Sequence, residues 1–222
     1  MRGMSSRTGL GIQGAAGVRT EGGRARRFVF ATLLVLALGL LGACSRHAAE
    51  TWDLTEIRGY LPDLGFSLKT GGDRSITAAY LRGKVVLLYF GYTHCPDVCP
   101  TTMAKMAGVL HELGASADGV RLLFVSVDPK RDTPALVEAY AKAFGPQCIG
   151  AVGTSAETED LARKYRVAYE ALKPDSDGNY DVMHSKGIYV FDGRGRARLL
   201  ISDTDKSKAI EHDLRQLVSP RA

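Results

Sequence analysis

The sequence predicts an α/β domain built on a central mixed sheet flanked by helices. Residues 85–90 (VVLLYF) and 122–127 (LLFVSV) are continuous runs of apolar, β-forming residues. That is the pattern of strands buried on both faces. Between them Met103, Met106, Ala107, Leu110 and Leu113 recur at helical spacing. Residues 187–191 and 197–202 then flank DGRG at 192–195, a hairpin signal. The strand–helix–strand unit implies a parallel pair with a right-handed crossover. The hairpin adds antiparallel strands, so the sheet is mixed.

In chain order, the first segment is a leader over residues 1–43. Arg24, Arg26 and Arg27 precede a 14-residue apolar run at 28–41, followed by Gly42, Ala43 and Cys44. A basic region, a short apolar region and small residues make a secretory signal. The run falls short of the ~20 residues of a comfortable membrane span. LGAC at 41–44 resembles a bacterial lipobox, in which Cys44 is lipidated as the first mature residue. The other reading is an N-terminal helix anchor that stays in place. Both put the body on the extracytoplasmic, periplasmic face of a bacterial membrane, tethered to it. Residues 44–60 are polar and irregular and read as a tether, in which Trp52 has no evident role. Compact structure is expected from residue 61, so 61–222 forms one domain.

Within that domain, strand 85–90 leads to the helix just described, which Gly114 closes as a C-cap. After strand 122–127, Asp132, Thr133 and Pro134 open a second helix with a capping side chain and Pro in its first turn. Leu136, Val137, Tyr140 and Phe144 are its expected buried stripe, and Gly145 ends it. Residues 147–152 read as a third strand. Thr154 and Glu157 have capping-box spacing ahead of a helix reaching about Tyr165. Residues 173–180, with Pro174, Asp177 and Gly178, form a loop. A last helix carries Ile210, Leu214 and Leu217. This order of elements is that of a thioredoxin-like fold.

Composition narrows the function. Of 222 residues, 45% are hydrophobic and 24% charged, a globular balance. The net charge of +5 belongs wholly to the leader, with six Arg against one Glu. The remaining 179 residues carry 23 basic and 23 acidic side chains. A basic nucleic-acid-binding surface is therefore unsupported. The body has no apolar run of 18 residues, which excludes a polytopic membrane protein. A chain of this size buries roughly 70% of its unfolded surface and needs no disulfides to fold.

The chemistry concentrates in GYTHCPDVCP at 91–100, just past the carboxyl end of the first buried strand. Sites of α/β sheets gather at that end. The motif runs into a helix N-terminus, which favours thiolate over thiol. Cys95 and Cys99, with three residues between them, can bond to each other or clasp one metal ion. Three readings of the pair are open. One is a structural disulfide, which an exported protein permits. Another is structural zinc with His94 or His184, although the usual second ligand pair is missing. The third is a functional dithiol for redox or soft-metal work. Thiolates select Cu(I), and imidazole suits Cu(I) or Cu(II). His184 is the best third ligand. It lies just before strand 187–191, and in a thioredoxin topology that strand neighbours the first.

YFGYTHCPDVCPTT at 89–102 resembles the signature of the Sco/SenC family, membrane-tethered thioredoxin-fold copper proteins that assist assembly of cytochrome c oxidase. SVDP at 126–129 with RDTP at 131–134 resembles a second family stretch, and His184-Ser185 ahead of a strand a third. The resemblance covers about residues 61–191. It implies that Cys95 and Cys99 are thiolate ligands of copper, Cu(I) or Cu(II), and that His184 is the imidazole ligand. It implies delivery of copper to the copper-bearing subunit of the oxidase at its copper A site, or reduction of that site's cysteines, or both. Other periplasmic copper carriers would be further partners. Such hand-over involves no turnover chemistry. The alternative is a thiol–disulfide oxidoreductase cycling Cys95 and Cys99, but C-x-x-x-C and the lack of proline at 182–185 lean toward metal. A peroxidase lacks its supporting side chains beside Cys95.

Met183 stands where the family often has Asp. A carboxylate partner for His184 must then come from elsewhere, with Asp181 the candidate. Met183 itself is expected to pack. His94 reads as exposed or supporting, and Asp128 with Pro129 either as a turn or as a group close enough to the site to influence the thiols. Met103 and Met106 read as core, Cys148 as a buried unpaired thiol, and His111 and His212 as solvent-facing.

Overall fold

The computed structural model describes residues 51–219. The leader, its apolar run and Cys44 lie outside them.

Six strands form the main sheet. Its centre is β4 (Val85–Gly91), buried along its whole length. It pairs in parallel with β5 (Val120–Ser126) and antiparallel with β9 (Ile188–Phe191). β6 (Cys148–Ala151) extends the parallel side. β10 (Ala197–Ile201) pairs antiparallel with β9, and β1 (Thr55–Glu56) with β10. The continuous apolar runs became the two central strands because both of their faces are covered. Two further hairpins sit outside this sheet: β2 (Ser67–Thr70) with β3 (Arg74–Thr77), and β7 (Tyr169–Ala171) with β8 (Val182–His184).

Helix α1 (Val98–Leu113) buries Cys99, Met103, Met106, Leu110 and Leu113, one stripe at alternating spacings of four and three. The two methionines are core, as expected. α2 (Pro134–Lys142) starts at Thr133, whose side chain accepts from the Leu136 backbone N–H. Its buried stripe centres on Val137 and Ala141, and Leu136 stands 41% exposed. α3 (Ser155–Lys164) carries the full capping box between Thr154 and Glu157. α4 (Ser207–Val218) buries Ile210, Asp213 and Leu214 and packs against α1.

The tether expectation fails for its second half. Leu54 and Ile57 are buried, and residues 55–56 form the edge strand β1. The Asp213 carboxylate, fully buried on α4, accepts from the backbone N–H groups of Asp53 and Leu54. His212, 52% exposed, lies between Asp53 and Asp213 at 3.1 and 2.9 Å. Trp52 gains a role as well: the Arg198 guanidinium lies 5.2 Å from its ring centroid. A two-residue strand leaves no period-2 signal, so the sequence could not announce it. Among the described residues, no helix is long and apolar enough to cross a membrane.

Candidate metal centre

Three elements deliver three donors. Cys95 sits in the turn leaving β4, Cys99 in the first turn of α1, and His184 at the end of β8. Cys99 lands inside because it shares the apolar stripe of α1, and its side chain is buried. Cys95 precedes the helix and stays partly exposed. The Cys99 backbone N–H donates to Cys95 Sγ at 3.3 Å, a donor at a helix start that suits an anionic sulfur. Cys99 Sγ lies 3.3 Å from His184 Nε2. One donor atom from each residue falls within 4.8 Å of the others. Both sulfurs are free thiols.

The imidazole is oriented from behind. His184 Nδ1 faces the Ser185 carbonyl oxygen at 3.0 Å. Nδ1–H donating there leaves the Nε2 lone pair for a metal. The expected carboxylate partner, Asp181, instead accepts from the Tyr92 hydroxyl at 3.4 Å. The backbone supplies what the sequence reading sought in a side chain. Burial pulls the His184 pKa below its ordinary value, which keeps the ring neutral and ligand-ready. Burial also pushes the Cys99 thiol up to about 12, so metal binding there must expel a proton. The helix-start effect expected to favour thiolate is outweighed at Cys99 by loss of solvent.

Residues beyond the three donors build the walls, and of these the sequence reading singles out Asp128 alone. Tyr89 and Tyr92 meet the His184 ring edge-on at 6.1 and 6.0 Å. Asp132 accepts from the Thr93 backbone N–H at 3.0 Å and from the Ser126 hydroxyl at 2.6 Å, tying the cysteine turn to the end of β5. Asp128 accepts from the Tyr180 hydroxyl at 2.8 Å, and Arg131 stacks over the Tyr180 ring at 3.6 Å. Asp128 thus anchors the loop leading to His184, more than a turn alone. His94 stays outside the cluster, with its side chain 48% exposed and Nδ1 3.1 Å from the Thr93 hydroxyl. Cys148 is buried and free on β6, as expected. His111 is exposed on α1. Met183 departs from expectation: it is 55% exposed, because residues alternate along β8 and His184 takes the inner side. It lines a groove of about 430 Å³ together with Cys95, Pro96, Leu172 and His184.

This donor set fits a soft ion. Two sulfurs and one imidazole suit copper in either oxidation state. A closed structural zinc site needs four protein ligands. Among the described residues no Cys, His, Asp or Glu joins these three.

The family model SCO1/SenC matches residues 62–219. The chain belongs to the SCO1/SenC family. Over 132 residues it is 41% identical to Protein SCO2 homolog, mitochondrial, of Bos taurus, covering 59% of this chain and 50% of that protein. It is 41% identical over 128 residues to Protein SCO1 homolog, mitochondrial, of Homo sapiens, covering 56% of this chain and 42% of that protein. The chain thus spans about half the length of the curated relatives it matches. The structure of copper-bound ScoI from Bradyrhizobium japonicum superposes with a TM-score of 0.64 at 37% identity, covering 69% of this chain and 99% of that one. Family members with copper bound therefore share this thioredoxin-like fold.

Proposed function

We propose that this chain is a membrane-tethered, extracytoplasmic copper metallochaperone. It binds one copper ion through Cys95, Cys99 and His184 and assists assembly of the copper A site of cytochrome c oxidase. One observation carries the reading: two thiols and an oriented, neutral imidazole from three separate elements bring donor atoms within 4.8 Å of one another. The copper-bound relative supports the choice of ion. Three ligands leave the ion open to a fourth from outside, and the groove beside Cys95 and His184 gives a partner's donor its approach. Hand-over proceeds by ligand exchange, with thiolate or imidazole of the oxidase subunit, or of another periplasmic copper carrier, replacing these donors. The leader supplies the tether, through lipidated Cys44 or an N-terminal helix.

A second reading is favoured by the unequal exposure of the thiols. Cys95 is reachable and Cys99 is buried behind it, the arrangement of an attacking and a resolving thiol. Cys95 thiolate would attack a partner's disulfide, and Cys99 thiolate would displace the mixed disulfide, leaving the partner reduced and this pair oxidised. Burial holds the proton on Cys99, which slows the second step.

The test is titration of the reduced full chain with Cu(I) and, separately, Cu(II), with metal analysis. One copper per chain is expected, lost in Cys95→Ser/Cys99→Ser. His184→Ala should weaken it by roughly tenfold or more, the penalty of losing even an outer partner of a metal ligand. Copper retained without the cysteines would end the metallochaperone reading. Weak binding in a dithiol that exchanges readily with protein disulfides would establish the oxidoreductase instead.

A further inference from the structure

Behind the three donors, on β4, stands a phenol with no hydrogen-bond partner. Tyr89 is fully buried, and its hydroxyl makes no hydrogen bond of normal geometry. An unpaired buried hydroxyl carries the whole loss of its hydration, so it calls for a partner in another state of the protein. The surroundings of the ring identify that partner. Its edge meets the His184 imidazole at 6.1 Å with an interplanar angle of 68°. It packs against Phe124 at 5.9 Å. The Thr102 side chain and the Cys99 sulfur are the groups placed to bond with its hydroxyl, though neither does so with good geometry here. Tyr89 therefore stands against two of the three donors at once.

As a thiol, Cys99 is a weak acceptor and offers the phenol little. As a metal-bound thiolate it is an anionic acceptor, and hydrogen bonds to charged groups are the strong ones. We propose that Tyr89 is a positioning residue whose hydroxyl donates to the Cys99 sulfur once that sulfur is a copper-bound thiolate, and that this bond biases the site toward Cu(I). The inference rests on the copper reading above. In a Cu(II)–thiolate bond the sulfur shares its charge with the metal, whereas with Cu(I) it keeps more of it. A donor aimed at the sulfur thus stabilises the reduced site more. Hydrogen bonds around a ligating cysteine are a recognised lever on copper potentials.

The experiment compares Tyr89→Phe with the unaltered full chain and with Tyr189→Phe. Tyr189 stands on β9 with its ring against Tyr165, and neither cysteine sulfur acts on its hydroxyl. Four quantities are read: Cu(I) and Cu(II) affinities, the thiolate-to-Cu(II) absorption band, the midpoint potential, and urea unfolding of the metal-free protein. Tyr89→Phe keeps the ring and its packing. The metal-free variant should be as stable as the unaltered chain or more so, since the lost hydroxyl had no partner. Its preference for Cu(I) over Cu(II) should fall about tenfold, a lowering of the potential by about 59 mV for one electron. Its absorption band should shift, while Tyr189→Phe leaves ratio and band unchanged. If the unaltered chain holds copper through Cys95 and Cys99 and Tyr89→Phe holds it with the same ratio and band, this inference alone is overturned. A destabilised metal-free Tyr89→Phe would also overturn it, by making the hydroxyl a structural partner. An unaltered chain that holds no copper through the two cysteines would overturn the copper reading together with this one.

Discussion

Gly91 decides how closely the Cys99 sulfur stands against the end of β4. A Cβ at this position would lie 2.7 Å from Cys99 Sγ and 2.7 Å from Phe124 Cε2, both buried and closely packed. Neither atom has room to retreat in an interior packed like an organic crystal. Gly91→Ala should therefore destabilise the fold by about 1–3 kcal/mol, the usual penalty of overpacking. It should also weaken copper binding, because the displaced sulfur no longer meets His184 at 3.3 Å. Urea denaturation and copper titration of the variant check both; unaltered affinity would show that the sulfur moves freely. In the sequence Gly91 is only the first residue of the cysteine motif, with nothing to show what its missing side chain makes room for. Cys95, Cys99 and His184 were legible as candidates, because Cys and His carry their chemistry in their identity, and the fold brings the three together. Their supports, Tyr89, Tyr92 and Asp132, have ordinary packing or turn roles until the fold brings them to the site. One signal was present in Tyr89: a hydroxyl in an otherwise apolar run must find a partner or go without.

At the scale of elements, the hairpin of β9 and β10 holds β4 from one side and depends on Asp192. Its carboxylate accepts from the backbone N–H groups of Arg194 and Arg196, both at 3.0 Å, and from Arg196 Nε at 2.9 Å. Burial alone would raise its pKa, but the bonds from Arg196 and Arg194 outweigh it and hold the group below the usual carboxylate range. A depressed folded pKa adds stability that is complete above the unfolded value, ~3.9, and is lost as pH falls through the folded one. Urea midpoints of the unaltered chain and Asp192→Asn should then differ most near neutral pH and converge below about pH 4. Equal midpoints at pH 7 would contradict this account of the hairpin. DGRG made this turn readable in the sequence, since turn residues act locally. The β2–β3 and β7–β8 hairpins were not readable. Their strands are four and three residues long, and β7 and β8 are separated by ten residues, too short and too far apart for pattern or turn chemistry to declare them. Yet β8 carries His184.

For the molecule as a whole, the structured part starts earlier than composition suggests. Leu54 and Ile57 fill the edge of the core beside β10, and Asp213 ties down the backbone at residues 53–54. Removing residues 51–60 exposes the pocket of two buried aliphatic side chains, each worth about 1.5–3 kcal/mol. It also leaves the Asp213 carboxylate buried without its backbone donors. A chain starting at residue 61 should thus be less stable than one starting at residue 51 by about 3–6 kcal/mol, a large share of the 5–15 kcal/mol of a typical domain. Denaturant midpoints of the two check this, and equal stability would restore the tether boundary at residue 60.

By itself the sequence determined the α/β class, the two central strands, the helix that follows the first of them, and the identity of Cys95, Cys99 and His184. Those features are written in local periodicity and residue chemistry, which need no knowledge of distant contacts. The tertiary structure decided the rest. It set His184 85 residues from Cys99 in the chain yet 3.3 Å from it in space. It gave the imidazole a backbone carbonyl in place of a carboxylate, turned Met183 outward, and set the Tyr89 phenol beside a buried sulfur. Each of these depends on which faces of separate elements meet, and long-range packing settles that where local pattern is silent.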